Sequence, residues 1–193
     1  MERRICIYCA SSNKVAQKHF EATDVLANDL IKHKITAVYG GGSAGLMGRL
    51  ANTMLAGNGK IVGVLPRFME KVEWGHKGLT ELILVEDMHE RKKLLIKDAD
   101  AVVALPGGCG TLEELMEVIT LKRLGKFTKP IIILNLDGFY NPLVDLLDRM
   151  IDEKFMRPEH RSIWQVVNLP EEILPAIENA PQWSEDKINI AAV

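Results

Sequence analysis

Two glycine-rich segments carry the residues of this chain best suited to chemistry. Gly40-Gly41-Gly42-Ser43-Ala44-Gly45-Leu46-Met47-Gly48 follows the apolar Val38-Tyr39, and Pro106-Gly107-Gly108-Cys109-Gly110-Thr111-Leu112-Glu113-Glu114 follows Val102-Val103-Ala104-Leu105. Each reads as a turn from a strand into a helix. Glycine lets a backbone approach an anion closely, and a helix N-terminus offers N–H groups with a favourable dipole. Two such turns at one sheet edge point to a single phosphorylated ligand shared between them. Glycines that merely let helices pack on strands leave two clusters of this size unexplained.

The first turn also spells G-x-G-x-x-G at Gly40, Gly42 and Gly45. In a dinucleotide fold an acidic residue closing the next strand holds the ribose hydroxyls. Here that strand ends Val64-Leu65-Pro66-Arg67, without an acid, and the match follows the second strand of the chain instead of the first. The nicotinamide reading is set aside on both counts.

Carboxylates and cations lie close by in sequence. Thr111-Leu112-Glu113-Glu114 reads as a capping box, with Thr111 as cap and Glu114 reaching back. On the helical wheel Leu112, Leu115, Met116 and Ile119 form a stripe facing the sheet, while Glu114, Glu117 and Leu121 fall nearly opposite, with Val118 beside them. A helix apolar on both sides has a second surface to cover, and the two carboxylates serve chemistry or a solvated edge. Asp87 and Glu90 form another cap pattern. The following Arg91 shares one face with Met88, Leu94 and Leu95, so a cation falls within an apolar stripe and requires an anionic partner, unless its stem snorkels to solvent. Lys92 and Lys93 read as solvent-facing, although Lys92 adjoins the same strand ends.

These groups need a scaffold. Short β-branched runs at Ile5–Cys9, Thr36–Tyr39, Ile61–Leu65, Leu82–Val85, Ala101–Leu105, Ile131–Leu134 and Trp164–Val167 alternate with helical patterns at Lys14–His33, Ala44–Ala56, Met88–Lys97, Leu112–Leu124, Pro142–Glu153 and Glu171–Asn179. Continuous apolar strands are buried on both faces, the mark of a parallel sheet between helices. The expected fold is therefore one α/β domain over residues 1–180, a doubly wound, Rossmann-like sheet of about seven mostly parallel strands. Its ligands gather at the carboxyl ends of the strands. Residues 181–193 read as a loose C-terminal tail that Trp183 can pin.

Composition narrows the function. The 193 residues are 47% hydrophobic and 26% charged, and 24 Lys and Arg against 26 Asp and Glu leave a net charge of −2. Mean hydropathy is +0.02. A soluble globular protein is expected, with no basic footprint for nucleic acid. No apolar run approaches the ~20 residues of a membrane span, and Met1-Glu2-Arg3-Arg4 leads straight into a strand without a signal peptide, which points to the cytoplasm. Cys6 and Cys9 spell C-x-x-C, but on a strand positions three apart face opposite ways, so buried thiols are expected in place of a redox pair. The five histidines are scattered. No metal site and no cofactor is expected.

Four motifs resemble one known family. Pro106-Gly107-Gly108-Cys109-Gly110-Thr111-Leu112-Glu113-Glu114 is similar to the P-G-G-x-G-T-x-x-E signature of the LOG ("lonely guy") family. Met88-His89-Glu90-Arg91-Lys92 resembles its M-H-x-R-K segment, Tyr39 to Gly48 its Y-G-G-G-x-x-G-L-M-G, and Cys9-Ala10-Ser11-Ser12 its C-[GA]-S-S, all in order from about Ile5 to Leu174. The resemblance implies a cytokinin riboside 5′-monophosphate phosphoribohydrolase, cleaving the N-glycosidic bond of a nucleoside 5′-monophosphate such as AMP or a cytokinin ribotide. It implies Arg91 and Glu114 as the catalytic pair and Gly107, Gly108, Gly110 and Thr111 as the phosphate cradle. The resemblance further implies substrate contacts at Glu73, Lys92 and Thr120, with Glu117 and Gly42 beside them, and a homodimer. Where the family often has I-T-W-x-Q-L-G, this chain has Ile119-Thr120-Leu121-Lys122-Arg123-Leu124-Gly125, a change expected to reshape the pocket for the base's substituent or the dimer contact. The alternative is a carrier of a phosphorylated cofactor, like the molybdenum-cofactor carriers, without hydrolysis. Members have also borne a lysine decarboxylase label, but pyridoxal chemistry needs a Schiff-base lysine and a partner for the pyridinium nitrogen. No such constellation is legible.

Overall fold

A computed structural model describes residues 2–73 and 75–191, with the side chains of residues 71–73 outside that description. The chain runs β1 (Arg4–Tyr8), α1 (Gln17–Lys32), β2 (Thr36–Tyr39), α2 (Gly45–Ala56), β3 (Ile61–Pro66), α3 (Arg67–Glu73) and β4 (Glu81–Val85). It continues through α4 (Met88–Ile96), β5 (Ala101–Ala104), α5 (Cys109–Arg123), β6 (Ile131–Leu134), α6 (Asn141–Asp152), β7 (Gln165–Val167) and α7 (Ile173–Glu178). Five of the seven strands consist almost wholly of buried apolar residues, as in β5 (Ala101, Val102, Val103, Ala104) and β6 (Ile131, Ile132, Ile133, Leu134). Such runs have no solvent side, and they form the middle of the sheet.

The seven strands lie in the order β4-β3-β2-β1-β5-β6-β7, and every pair of neighbours is parallel. Alternate residues of each strand feed two cores. Ile5, Ile7, Ala37, Tyr39 and Val103 pack with Leu26, Leu30, Leu50, Met54 and Ile173 from α1, α2 and α7. Cys6, Tyr8, Val38, Val102 and Ala104 pack with Leu95, Leu115, Val118 and Leu147 from α4, α5 and α6. The sheet is thus doubly wound, as its apolar runs required. The chain steps outward from β1 to β4, then restarts on the other side of β1 with β5. That reversal opens a crevice at the carboxyl ends of β1 and β5, the position where such sheets bind ligands.

Some local expectations need correction. Helix α3 is an element that periodicity does not announce, seven residues after Pro66 being too short for a clear period. Helix α5 begins at Cys109 with Gly108 as its N-cap and no side-chain cap, so Thr111 sits inside the first turn and the Thr111/Glu114 capping box does not form. The inner face of α5 also lies further round than the wheel placed it. Val118 is fully buried along with Leu115, Ile119 and Lys122, while Leu112 and Met116 are only partly covered. Residues 182–191 are not loose: Trp183 is buried, donates from Nε1 to the Lys122 carbonyl at 2.7 Å, and precedes a 3₁₀ helix over Glu185–Ile190.

Candidate active site

A cleft of about 360 Å³ opens at the β1/β5 crevice. Its floor is the end of β1 and the residues that follow, Tyr8 to Ser12, and one wall is the start of α5, Gly108 to Thr111 with Glu114. Gly40, Met47, Met69, Met88 and Arg91 complete it from the ends of β2, α2, α3 and α4. Five separate segments of sequence therefore meet at one point.

The two glycine-rich turns do different work there. The turn after β2 leads into α2, whose early amides are already engaged: Gly45 N–H donates to Asn13 Oδ1 at 2.7 Å and Met47 N–H to the Ala10 carbonyl at 3.2 Å. That turn supplies wall. In α5 the first intrahelical bond runs from Leu112 N–H to the Gly108 carbonyl, so the amides of Cys109, Gly110 and Thr111 precede the helical ladder, at the positive end of the dipole. A side chain at Gly108 or Gly110 would meet no atom within 4 Å. These two glycines do not serve packing; they keep the helix end bare toward the cleft, where an anion can come close.

Arg91 is held at three points. Its guanidinium lies 3.3 Å from Glu114 through Nη1, while Nε donates to the Val64 carbonyl at 3.2 Å and Nη2 to the Gly40 carbonyl at 3.3 Å. Both side chains of the ion pair are almost buried, 8% exposed for Arg91 and 11% for Glu114. The cation in the apolar stripe of α4 thus has the anionic partner its burial demanded. Gly40 is part of the same arrangement, since a Cβ there would collide with Nη2 of Arg91. At the start of α4, Asp87 accepts from Glu90 N–H at 2.8 Å as expected of a cap, but Glu90 turns its own carboxylate to Glu86 N–H.

Lys92 is not solvent-facing. Its ammonium bridges Glu113 at 2.5 Å and Glu117 at 2.8 Å, tying α4 to α5 beside the Arg91–Glu114 pair. Those two hydrogen-bonded carboxylates raise its pKa. Neither Lys92 nor Glu117 lines the cleft. Thr120 is exposed, three turns along α5, and donates to the Met116 carbonyl at 2.8 Å. Gly42 forms an isolated bridge with Gly75 and accepts from the Tyr39 hydroxyl, so it braces the turn. Gly107 turns its amide to the Tyr140 oxygen. The side chain of Glu73 lies outside the described residues. The structure thus brings Gly108, Gly110, Thr111, Arg91 and Glu114 to one cleft, with Lys92 and Glu117 behind it and Gly42, Gly107 and Thr120 elsewhere.

The residues missed as site candidates are Tyr8, Cys9, Ala10, Ser11, Ser12 and the three methionines 47, 69 and 88. The switch-point rule alone would have found the end of β1. The methionines carry no such signal, because they meet only in the folded chain. Cys6 and Cys9 are free, buried and on opposite faces of the sheet, and burial pushes both thiols up; Cys109 is free and exposed on the cleft wall. Burial also holds the Tyr8 phenol well above its usual range. Among the described residues no cluster of three His, Cys, Asp or Glu is placed to hold a metal ion. Nor is any helix among them long and apolar enough to cross a membrane.

The Lys122-Arg123 substitutions do not reach this cleft. Lys122 is buried on the inner face of α5, where its ammonium donates to the Lys129 carbonyl at 2.9 Å and lies over the Trp183 ring. Arg123 donates to the Ala191 carbonyl at 2.9 Å. Both cations hold the C-terminal segment, and neither side chain lines the cleft.

Residues 47–177 match the protein family described as possible lysine decarboxylase. Cytokinin riboside 5′-monophosphate phosphoribohydrolase LOG7 of Arabidopsis thaliana is 41% identical over 184 residues, covering 95% of this chain and 85% of the relative. The chain belongs to the LOG family. A second LOG relative, the probable phosphoribohydrolase LOGL2 of Oryza sativa subsp. japonica, is 40% identical over 93% of this chain and 74% of its own length. Among solved structures the molybdenum cofactor carrier protein of Chlamydomonas reinhardtii superposes with a TM-score of 0.73 at 17% identity, over 93% of this chain and 98% of that one. The molybdenum cofactor binding protein of Rippkaea orientalis gives 0.69 at 16% identity, over 92% and 96%. At such identities the likeness establishes the fold that the LOG family shares with these carriers.

Proposed function

We propose that the cleft hydrolyses the N-glycosidic bond of a nucleoside 5′-monophosphate, adenosine monophosphate or an N6-substituted relative, releasing free base and ribose 5-phosphate. One observation carries the reading: the bare amides and the carboxylate stand on the same helix. From Gly110 to Glu114 the axial rise is about 6 Å, close to the span from a ribose 5′-phosphate to its anomeric carbon. A phosphate seated on the α5 N-terminus brings the scissile bond to Glu114.

Arg91 and Glu114 have complementary roles in this scheme. Cleavage passes through an oxocarbenium-like state. Glu114 stabilises the developing positive charge or activates the attacking water, and Arg91 fixes that carboxylate's orientation through its three anchors. The phosphate, gripped away from the reacting bond, supplies binding energy that positions the sugar. Met47, Met69 and Met88 offer a polarizable apolar wall for the purine. The phosphoribohydrolase activity of the LOG relatives supports the same reading. The buried Arg91–Glu114 pair favours it over a carrier role, which needs no such pair. A homodimer and a cytoplasmic location belong to the proposal, supported by exposed Leu124 and Leu146 and by the free cysteines.

The test is to incubate the protein with AMP, isopentenyl-AMP and adenosine and to separate the products by chromatography. Base and ribose 5-phosphate should appear from the two nucleotides and hardly at all from adenosine. Equal rates on adenosine and AMP would remove the phosphate anchor from the scheme.

A further inference from the structure

We propose that Tyr140 is a positioning residue that sets the anion-binding turn from behind, through a hydroxyl bridging the two sides of Pro106. This rests on the phosphate reading of that turn. The Leu105 N–H makes the last rung of the β5/β1 ladder, donating to the Tyr8 carbonyl at 2.9 Å. Beyond it the chain leaves the sheet, and Pro106 has no N–H to donate. The Leu105 carbonyl and the Gly107 N–H thereby lose the ladder as a partner, and buried backbone groups must be paired.

One phenol answers both. The Tyr140 hydroxyl donates to the Leu105 carbonyl at 2.8 Å, and the Gly107 N–H faces its oxygen from the other side of Pro106. With the Gly107 amide turned inward, its peptide plane is fixed, and the amides of Cys109 to Thr111 follow from it toward the cleft. Tyr140 is itself held: its N–H donates to Asn135 Oδ1 at 2.7 Å, Asn135 Nδ2 donates to Asn141 at 2.7 Å, and Asn135 N–H donates to the Val167 carbonyl at 2.7 Å. The ends of β6 and β7 and the start of α6 are in this way connected to the mouth of β5. Burial keeps the phenol protonated, so the donated bond persists across the working pH range.

The test compares wild type with Tyr140→Phe, which keeps the ring and removes the hydroxyl, using calorimetric titration with ribose 5-phosphate and with adenosine. A net loss of about 1 kcal/mol for the Leu105 bond corresponds to roughly fivefold weaker ribose 5-phosphate binding, with adenosine affinity unchanged and the loss in turnover falling on KM for AMP. Equal ribose 5-phosphate affinity in both proteins overturns the proposal. Hydrogen exchange at the Gly107 amide of the wild type is an independent measurement that needs no variant; exchange at the rate of a free peptide also overturns it. A wild type that binds ribose 5-phosphate but releases no base refutes the hydrolase reading alone, and one that binds no ribose 5-phosphate refutes both.

Discussion

The Arg91 guanidinium and the Glu114 carboxylate approach to 3.3 Å across the boundary between α4 and α5, and neither is more than about one-tenth exposed. Two helices that leave the sheet on either side of β5 thus share one desolvated ion pair at the rim of a cleft. Removing one partner of such a pair leaves a buried charge uncompensated, whereas a neutral isostere keeps the shape.

Glu114→Gln separates chemistry from binding. The variant should still bind AMP, because the bare amides of α5 are untouched, while base release falls by roughly 10²- to 10⁴-fold. Calorimetry and chromatographic product analysis read the two quantities. Undiminished turnover would leave Glu114 a structural partner of Arg91.

Gly40→Ala tests whether the glycine is there for Arg91. The added methyl collides with the guanidinium, which is fixed by Val64 and Glu114 and has little room to retreat. A displacement of this kind, remote from the anion site, should cost about 10²-fold in kcat/KM and lower Tm, with ribose 5-phosphate affinity retained. A variant with normal kinetics would show that the Arg91 position tolerates the shift.

Cys109 reports on occupancy. Of the three cysteines it alone is exposed, and it stands on the cleft wall between the two open glycines. Iodoacetamide should label this residue selectively, as mass spectrometry of the tryptic peptide can verify. AMP and ribose 5-phosphate should slow the labelling, and adenosine should not. Labelling indifferent to phosphorylated ligands would place their binding elsewhere.

Lys122 predicts a pH-dependent stability. Burial lowers its pKa to about 8, whereas the side chain of an unfolded chain titrates near 10.4. Between these values the unfolded state holds more protons, so stability rises with pH through that window, and below about 8 the cost of the buried charge is fully present. Lys122→Met should therefore be more stable than wild type at pH 7, by about 1–3 kcal/mol, and the difference should shrink toward pH 10. Denaturant melts at the two pH values measure it, and a difference that does not change with pH would contradict the assignment.

Much of the architecture was written in the order of residues. Runs such as Val102-Val103-Ala104 and Ile131-Ile132-Ile133 have no polar face, so they could only be inner strands of a covered parallel sheet, and the glycines after Tyr39 and Leu105 marked where strands turn into helices. Arg91 was recognisable as a cation out of place, because a charge at the spacing of Met88, Leu94 and Leu95 must find a counter-charge once that face is buried. Local pattern reached no further. It gave Glu114 a cap to form, since Thr-x-x-Glu is a cap wherever a helix starts at that threonine. Here the helix starts two residues earlier, because bare Gly108 ends the turn held by Tyr140.

What folding alone decided is the meeting of distant segments. The strand order places β1 beside β5, although almost a hundred residues separate them, and only that adjacency joins Ser11, Met47, Arg91 and Glu114 around one cleft. Packing likewise turned Lys122 and Arg123 away from the cleft and onto Trp183 and Ala191. A sequence specifies periodicity and turn chemistry residue by residue, so it determined the elements and their ends. Which face of each helix meets which neighbour depends on packing two cores at once, and that is a property of the whole sheet.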